Sequence, residues 1–186
     1  SNHGPGCSYV EVDNEQGAYQ ATQYLYRLGH RRIVLLGGRQ DSRTLEQRLQ
    51  GYRRSMLANH LIPHAVTAPD GTENLSVWCG QEARRLFRSV PCPDAIIAYS
   101  DILAMQVLEA AEECGLHAPE DFSLIGFDNI ALGQLPHIHL TTVSQREAQA
   151  GELAIRRLLE KIEGGTEVTQ DILEPELVIR STCRRI

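Results

Sequence analysis

The chain has 186 residues, 42% hydrophobic, 5% aromatic and 23% charged, with 18 Lys and Arg against 24 Asp and Glu and a formal net charge of −6. That length predicts one domain or little more, long enough to bury a core, and the composition excludes a disordered tail. No apolar run reaches the roughly 18 residues of a membrane span, and no long Lys/Arg run supplies the electrostatic footprint of a nucleic-acid-binding surface.

The five cysteines, Cys7, Cys79, Cys92, Cys114 and Cys183, are scattered and form no CxxC pair. That pattern predicts reduced cytosolic thiols rather than a disulfide framework or a zinc knuckle. Residues 1–8 carry neither the basic nor the apolar region of a signal peptide and are expected to be a tag or disordered lead-in. From there, strand-length apolar runs alternate with helix-period segments, the pattern of βαβ units building a parallel sheet. Tyr9-Val10-Glu11-Val12 is the first expected strand, and Asp13 or Asn14 can cap the helix after it. Ala18, Ala21, Thr22, Leu25 and Leu28 form a helical stripe that stops at Gly29. Ile33-Val34-Leu35-Leu36, closed by Gly37-Gly38, predicts a strand buried on both faces.

Asp41 or Ser42 can cap a second helix with Leu45, Leu49, Tyr52 and Met56 inward, and Pro63 ends any continuation. Residues 63–75 read as loop. A third helix from Ser76 to about Val90, a strand over 94–99, a fourth helix capped by Ser100-Asp101 and ended by Gly115, and a strand over 122–127 follow. After an irregular stretch with Gly133 and Pro136, Leu140-Thr141-Thr142-Val143 reads as a strand. Ser144 then caps a long helix through Ile162, and a last strand runs over 176–182. Six strands and five helices predict an α/β fold, a doubly wound parallel sheet with flanking helices.

In open sheets of this kind ligands bind beyond the carboxyl ends of the strands. Here those positions are polar each time: Asp13-Asn14, Arg39 to Thr44, Ser100-Asp101, Asp128-Asn129 and Ser144-Gln145. Each alone reads as a helix cap or turn former. Together they bring carboxylates, amides and a guanidinium to one edge without a nucleophile–base pair, a composition suited to a polyhydroxylated or purine-like small molecule. Arg48, on the flank of its helix with Leu45 and Tyr52, reads on spacing as a salt-bridged boundary residue more readily than as a ligand contact. The phosphate-loop, nucleophile-elbow and HExxH motifs are absent, and no cofactor is implied. His137-x-His139 lacks a third metal ligand nearby in sequence. His30, beside Arg31 and Arg32, reads as a solvated boundary. Trp78 and Tyr99 are the aromatics nearest the expected site edge, with packing the simpler role for each.

Val12-Asp13-Asn14-Glu15-Gln16-Gly17, Leu28-Gly29-His30-Arg31-Arg32-Ile33, Arg48-Leu49-Gln50-Gly51-Tyr52 and Pro93-Asp94-Ala95-Ile96 share order and spacing with one known family. So do Ser100-Asp101, Pro119 to Asn129 with Gly126-Phe127-Asp128-Asn129 at its end, Leu140-Thr141-Thr142-Val143 and Glu176 to Thr182. The chain resembles LacI/GalR-type bacterial transcriptional regulators over nearly everything from residue 9 onward. The resemblance implies a type I periplasmic-binding-protein-like lobe that senses a small-molecule effector. Residues 9–143 would be the C-terminal lobe, and 144–175 a crossover helix belonging to a second lobe, its partner absent here and Leu153, Leu158 and Ile162 exposed. Residues 176–186 would be a returning strand and tail. The implied partners are a carbohydrate effector, a second copy in a homodimer, and operator DNA through a preceding headpiece, in the cytoplasm and away from membranes.

Carried over by position, the resemblance places effector contacts on Arg48 and Asp128, with Ser42, Thr44, Ser100 and Asp101 around them. It makes Gln145 a hinge glutamine, and leaves the stacking group of the 72–78 loop to Leu75 or Trp78. Two alternatives stand beside it: a periplasmic sugar-binding protein of a transport system, which shares the fold and polar cleft, and a carbohydrate hydrolase using Asp101 and Asp128 as paired carboxylates.

Overall fold

A computed structural model describes residues 7–186. In chain order the elements are β1 (Tyr9–Val12), α1 (Asn14–Arg27), β2 (Ile33–Arg39), α2 (Arg43–Ala58), β3 (His64–Ala68), α3 (Leu75–Phe87), β4 (Ala95–Ala98) and α4 (Asp101–Glu113). Then come β5 (Ser123–Phe127), a single 3-10 turn (Ala131–Gln134), β6 (Thr141–Ser144), α5 (Glu147–Ile162), β7 (Gln170–Leu173) and β8 (Glu176–Val178). Six strands form one sheet in the order β3-β2-β4-β5-β6-β8, parallel except for the antiparallel β6–β8 pair.

Side-chain alternation sends neighbouring residues of each central strand to opposite faces. Ile33, Leu35, Ala95, Ile97, Ile125 and Phe127 meet α1 and α2, whereas Val34, Leu36, Ile96, Ala98 and Leu124 meet α3 and α4. Both faces of the sheet are therefore covered, as the continuous apolar runs required. The first two helices pack backbone to backbone. A Cβ added at Gly51 would lie 1.9 Å from the Glu15 carbonyl oxygen, so only glycine fits there. This contact fixes the first turn of α1 beside the third turn of α2, and thereby Asn14 beside Arg48, which lies less than one turn before Gly51. Helix starts are held by Asp13, Ser42, Asn74 and Ser100, whose side chains accept from the amides of Gln16, Leu45, Val77 and Leu103.

Several expectations are corrected. The stretch read as loop over 63–75 contains β3, an edge strand that sequence alone conceals because only Ala68 in it is fully buried. Residues 170–173 form β7, and β1 pairs in parallel with it rather than joining the main sheet. Ser144 ends β6, paired with Glu176 of β8, so it does not cap α5. That helix starts after Arg146, which is left-handed with φ 49°. The final strand stops at Val178 instead of 182. His30 is fully buried instead of solvated, since the chain's end folds over it: the Arg184 carbonyl lies 3.0 Å from its Nε2, and the Ile186 amide donates to Leu28. Helix α5 buries no residue; Leu153 is half-buried while Leu158 and Ile162 are exposed. Among the described residues no helix is long and apolar enough to cross a membrane.

Candidate functional site

Because five strands of the main sheet run the same way, the ends of β2, β4, β5 and β6 open on one edge, and the start of α1 reaches the same edge through its contact with α2. Arg48 sits at the centre. Its side chain is 3% exposed, and its guanidinium carbon lies 4.1 Å from the Phe127 ring and 4.8 Å from the Tyr99 ring. Nε donates to Asn14 Oδ1 at 3.0 Å, one terminal nitrogen donates to the Tyr99 carbonyl, and the other stands 3.5 Å from Asp128 Oδ1. Burial pulls the Arg48 pKa below its ordinary value, while Asp128, Tyr99 and Asp101 oppose that shift. A guanidinium held out of water on two aromatic faces remains charged, because no protein environment deprotonates it at neutral pH.

Asp128 is the outward member of the pair, its side chain 27% exposed. Its backbone, with φ 104°, and that of Asn129, with φ 54°, both lie where non-glycine residues are strained. The turn persists because its polar groups are tied down. The Asp128 amide donates to Val143 at 2.9 Å, the Ile130 amide to Asp101 Oδ2 at 2.9 Å, and Arg180 to Asn129 Oδ1 at 2.5 Å. Gln145, just past β6, donates its side-chain amide to the same Asp128 oxygen that faces Arg48.

Asp101 plays a different part. It is fully buried, accepting from the Thr142 hydroxyl at 2.6 Å as well as from Ile130, and burial pushes its pKa up to about 6 against those hydrogen bonds. A carboxylate turned inward with both oxygens engaged does not form an outward-facing acid–base pair with Asp128, which removes the geometry a glycosidase needs. Ser100 and Ser42 are spent as helix caps, the second also 3.3 Å from the Tyr99 hydroxyl.

Two cavities flank the Arg48–Asp128–Gln145 group. One, of about 240 Å³, is lined by Asn14, Thr44, Gln47, Gln145 and Glu147. The other, of about 280 Å³, includes Asp128, Asn129, Ser144 and Arg146. The structure thus brings Arg48, Asp128, Gln145, Ser42 and Thr44 to one edge, with Ser100 and Asp101 beneath. Trp78 stands apart, half-buried on α3 and packed against the α3–α4 core, with no hydrogen bond or ring contact to this group; Leu75 packs on the same core.

Sequence reasoning missed Asn14 as the partner of Arg48 and Phe127 as its platform. Strand parity could have found Phe127, which shares the helix-facing side of β5 with Ile125. Among the described residues no set of three or more His, Cys, Asp or Glu could hold a metal, His137 and His139 included, and the five cysteines are unpaired.

A doubly covered, mostly parallel sheet with a polar carboxyl edge defines a class, the periplasmic-binding-protein-like domains. The sequence pattern described as "Periplasmic binding protein-like domain" matches residues 22–183. The chain is 33% identical over 181 residues to the HTH-type transcriptional repressor CytR of Escherichia coli K12, covering 95% of this chain and 52% of that protein. A LacI-family transcriptional regulatory protein from Corynebacterium glutamicum matches with a TM-score of 0.82 at 32% identity, over 96% of this chain and 69% of that one. The transcriptional regulator CelR in complex with cellobiose matches with a TM-score of 0.84 at 31% identity, over 95% of this chain and 54% of that one.

The chain belongs to the LacI family of transcriptional regulators, within their periplasmic-binding-protein-like effector domain. It spans about half the length of the curated relatives it matches. Those relatives are transcriptional regulators and repressors.

Proposed function

We propose that this chain is the effector-sensing part of a LacI-type regulator and that a small hydroxyl-rich molecule, a sugar or sugar derivative, binds at the carboxyl edge of the main sheet. The observation that carries the reading is the Arg48–Asp128 pair. A buried, permanently charged guanidinium faces a partly open carboxylate at 3.5 Å, too far for a hydrogen bond, so the carboxylate keeps room for another partner. Adjacent hydroxyls of a ligand can donate to Asp128 and accept from Arg48, and charge on the protein side strengthens both bonds. Gln145 holds the Asp128 oxygen in place, Thr44 lines the adjoining cavity, and Ser42, Ser100 and Asp101 position the backbone beneath. That the similar CelR structure contains cellobiose supports a carbohydrate over a planar base.

Residues 9–143 act as the C-terminal lobe in this reading, and the apolar face of α5 is covered by a lobe contributed by preceding sequence. An effector that bridges the two lobes fixes their relative angle and so alters how paired headpieces meet operator DNA, a population shift between two arrangements. The regulator works as a cytoplasmic homodimer. In the full-length gene product, Arg48→Ala and Asp128→Ala are each expected to abolish effector response while leaving operator binding intact, checked by operator mobility shift with and without effector. Normal response in both variants would overturn the site assignment.

A further inference from the structure

At the opposite edge of the sheet lies a larger cavity of about 740 Å³, a groove between the loop that joins α2 to β3 and the loop that joins α3 to β4. Its walls are apolar: Leu61, Pro63 and Leu86 line it, and Ile62 and Val90 stand on its lips, 88% and 98% exposed. Aliphatic side chains left that open on two facing lips of one groove are surface the fold itself does not use.

The charged lining is of one sign. It is made by Arg31 and Arg32, with His60, His64 and Ser89 as the other polar side chains and no carboxylate. Arg31 spends its hydrogen bonds on the carbonyls of Tyr26 and His30, which leave its charge unneutralised. Arg32 donates from Nε to the Cys92 carbonyl at 2.8 Å, and its one carboxylate among the described residues is Asp94, at 3.6 Å, with its own side chain 55% exposed. The tail, whose Arg184 carbonyl meets His30 and whose Ile186 amide donates to Leu28, carries two further exposed arginines, Arg184 and Arg185. In a chain of net charge −6 this is a local reversal of sign.

We infer that this groove docks a short acidic, apolar segment of a partner protein, its aliphatic or aromatic side chains seated between Ile62 and Val90 and its carboxylates on Arg31 and Arg32. Charge complementarity selects the acidic partner, and the depth and apolar lining select a peptide over a nucleic acid, whose phosphates need no hydrophobic floor. The groove opens at the amino ends of the strands and the Arg48 site at their carboxyl ends, so a docked segment does not occupy the effector's place.

The test uses the 186-residue chain and a fluorescein-labelled synthetic 12-mer alternating Asp or Glu with Leu or Phe, followed by fluorescence anisotropy at low and physiological salt. Saturable binding with a Kd of about 100 µM or tighter is expected, as for a weak transient contact. The double variant Arg31→Glu/Arg32→Glu should weaken it about tenfold or more, and Ile62→Ser/Val90→Ser about fivefold or more. Ile62 and Val90 are so exposed that their replacement leaves the fold intact, which an unchanged thermal melt verifies. Absence of saturable binding would overturn the inference, and so would binding insensitive to both double variants or lost only on mutation of the α5 face. Displacement of the peptide by an equimolar DNA duplex would overturn it in favour of a nucleic-acid surface.

Discussion

The two edges of the main sheet each hold an aspartate beside arginine, and they treat it in opposite ways. At the amino edge, Asp94 receives the Arg31 and Arg32 amides at 3.3 and 3.1 Å, stands 3.6 Å from the Arg32 guanidinium and 3.4 Å from His30 Nδ1, and is 10% exposed. Burial would raise its pKa, but the close His30 ring and the hydrogen bonds from the two amides outweigh it and hold it below the ordinary carboxylate value. At the carboxyl edge, Asp128 takes one side-chain hydrogen bond and one loose ion pair, on a strained backbone, and stays partly open. A saturated carboxylate is a clamp joining the α1–β2 loop to β4, whereas an unsaturated one beside a fixed cation can exchange partners.

The largest expected effect lies on the clamp. Asp94→Ala leaves two partly buried backbone amides without their acceptor and should lower the free energy of unfolding by about 2–4 kcal/mol. Asp128→Asn should cost less than about 1 kcal/mol, because little of the fold depends on that carboxylate. Guanidinium denaturation of both variants measures the difference, and equal losses would erase the distinction between the edges.

A second contrast is in pH. Asp101, pushed up to about 6, contributes stability that is fully present below its ordinary value near 4 and is lost as pH rises through 6. Asp94, held low, contributes stability that is present above the ordinary carboxylate range and is lost on acidification. Asp101→Asn should therefore flatten the decline of stability between pH 4 and 7, an effect of up to about 2 kcal/mol. Melting curves across that range check it, and an unchanged slope would show that another group titrates there.

The smallest effect concerns α5, whose apolar residues face solvent. Leu158→Ser with Ile162→Ser should change monomer stability by less than about 0.5 kcal/mol and reduce self-association in light scattering. A large loss of stability would mean that the face is already buried in this chain.

What the sequence disclosed and what it hid follow the same physics. Strands buried on both faces, such as Ile33 to Leu36 and residues 95–98, announce themselves by unbroken apolar runs, and the helices between them by stripes and caps. The edge strand β3 and the β1–β7 pair do not, because most of their residues are only half-buried and break the apolar run. The carboxyl-edge site was legible because strand ends name themselves: Asp128 and Gln145 were placed by topology, and Arg48 by its resemblance to a family pattern. Its supports were not, since Asn14 meets Arg48 only through the Gly51 contact between two helices. His30 misled because its burial depends on a tail more than 150 residues away.

The central claim, that Arg48 and Asp128 hold a small hydroxylated ligand, is tested most directly by saturation-transfer NMR of this chain against a panel of mono- and disaccharides that includes cellobiose. Transfer from the protein to at least one sugar at millimolar concentration is expected, lost in both Arg48→Ala and Asp128→Ala while their folded spectra persist. Saturation transfer that survives both substitutions, or none to any sugar, would contradict the account.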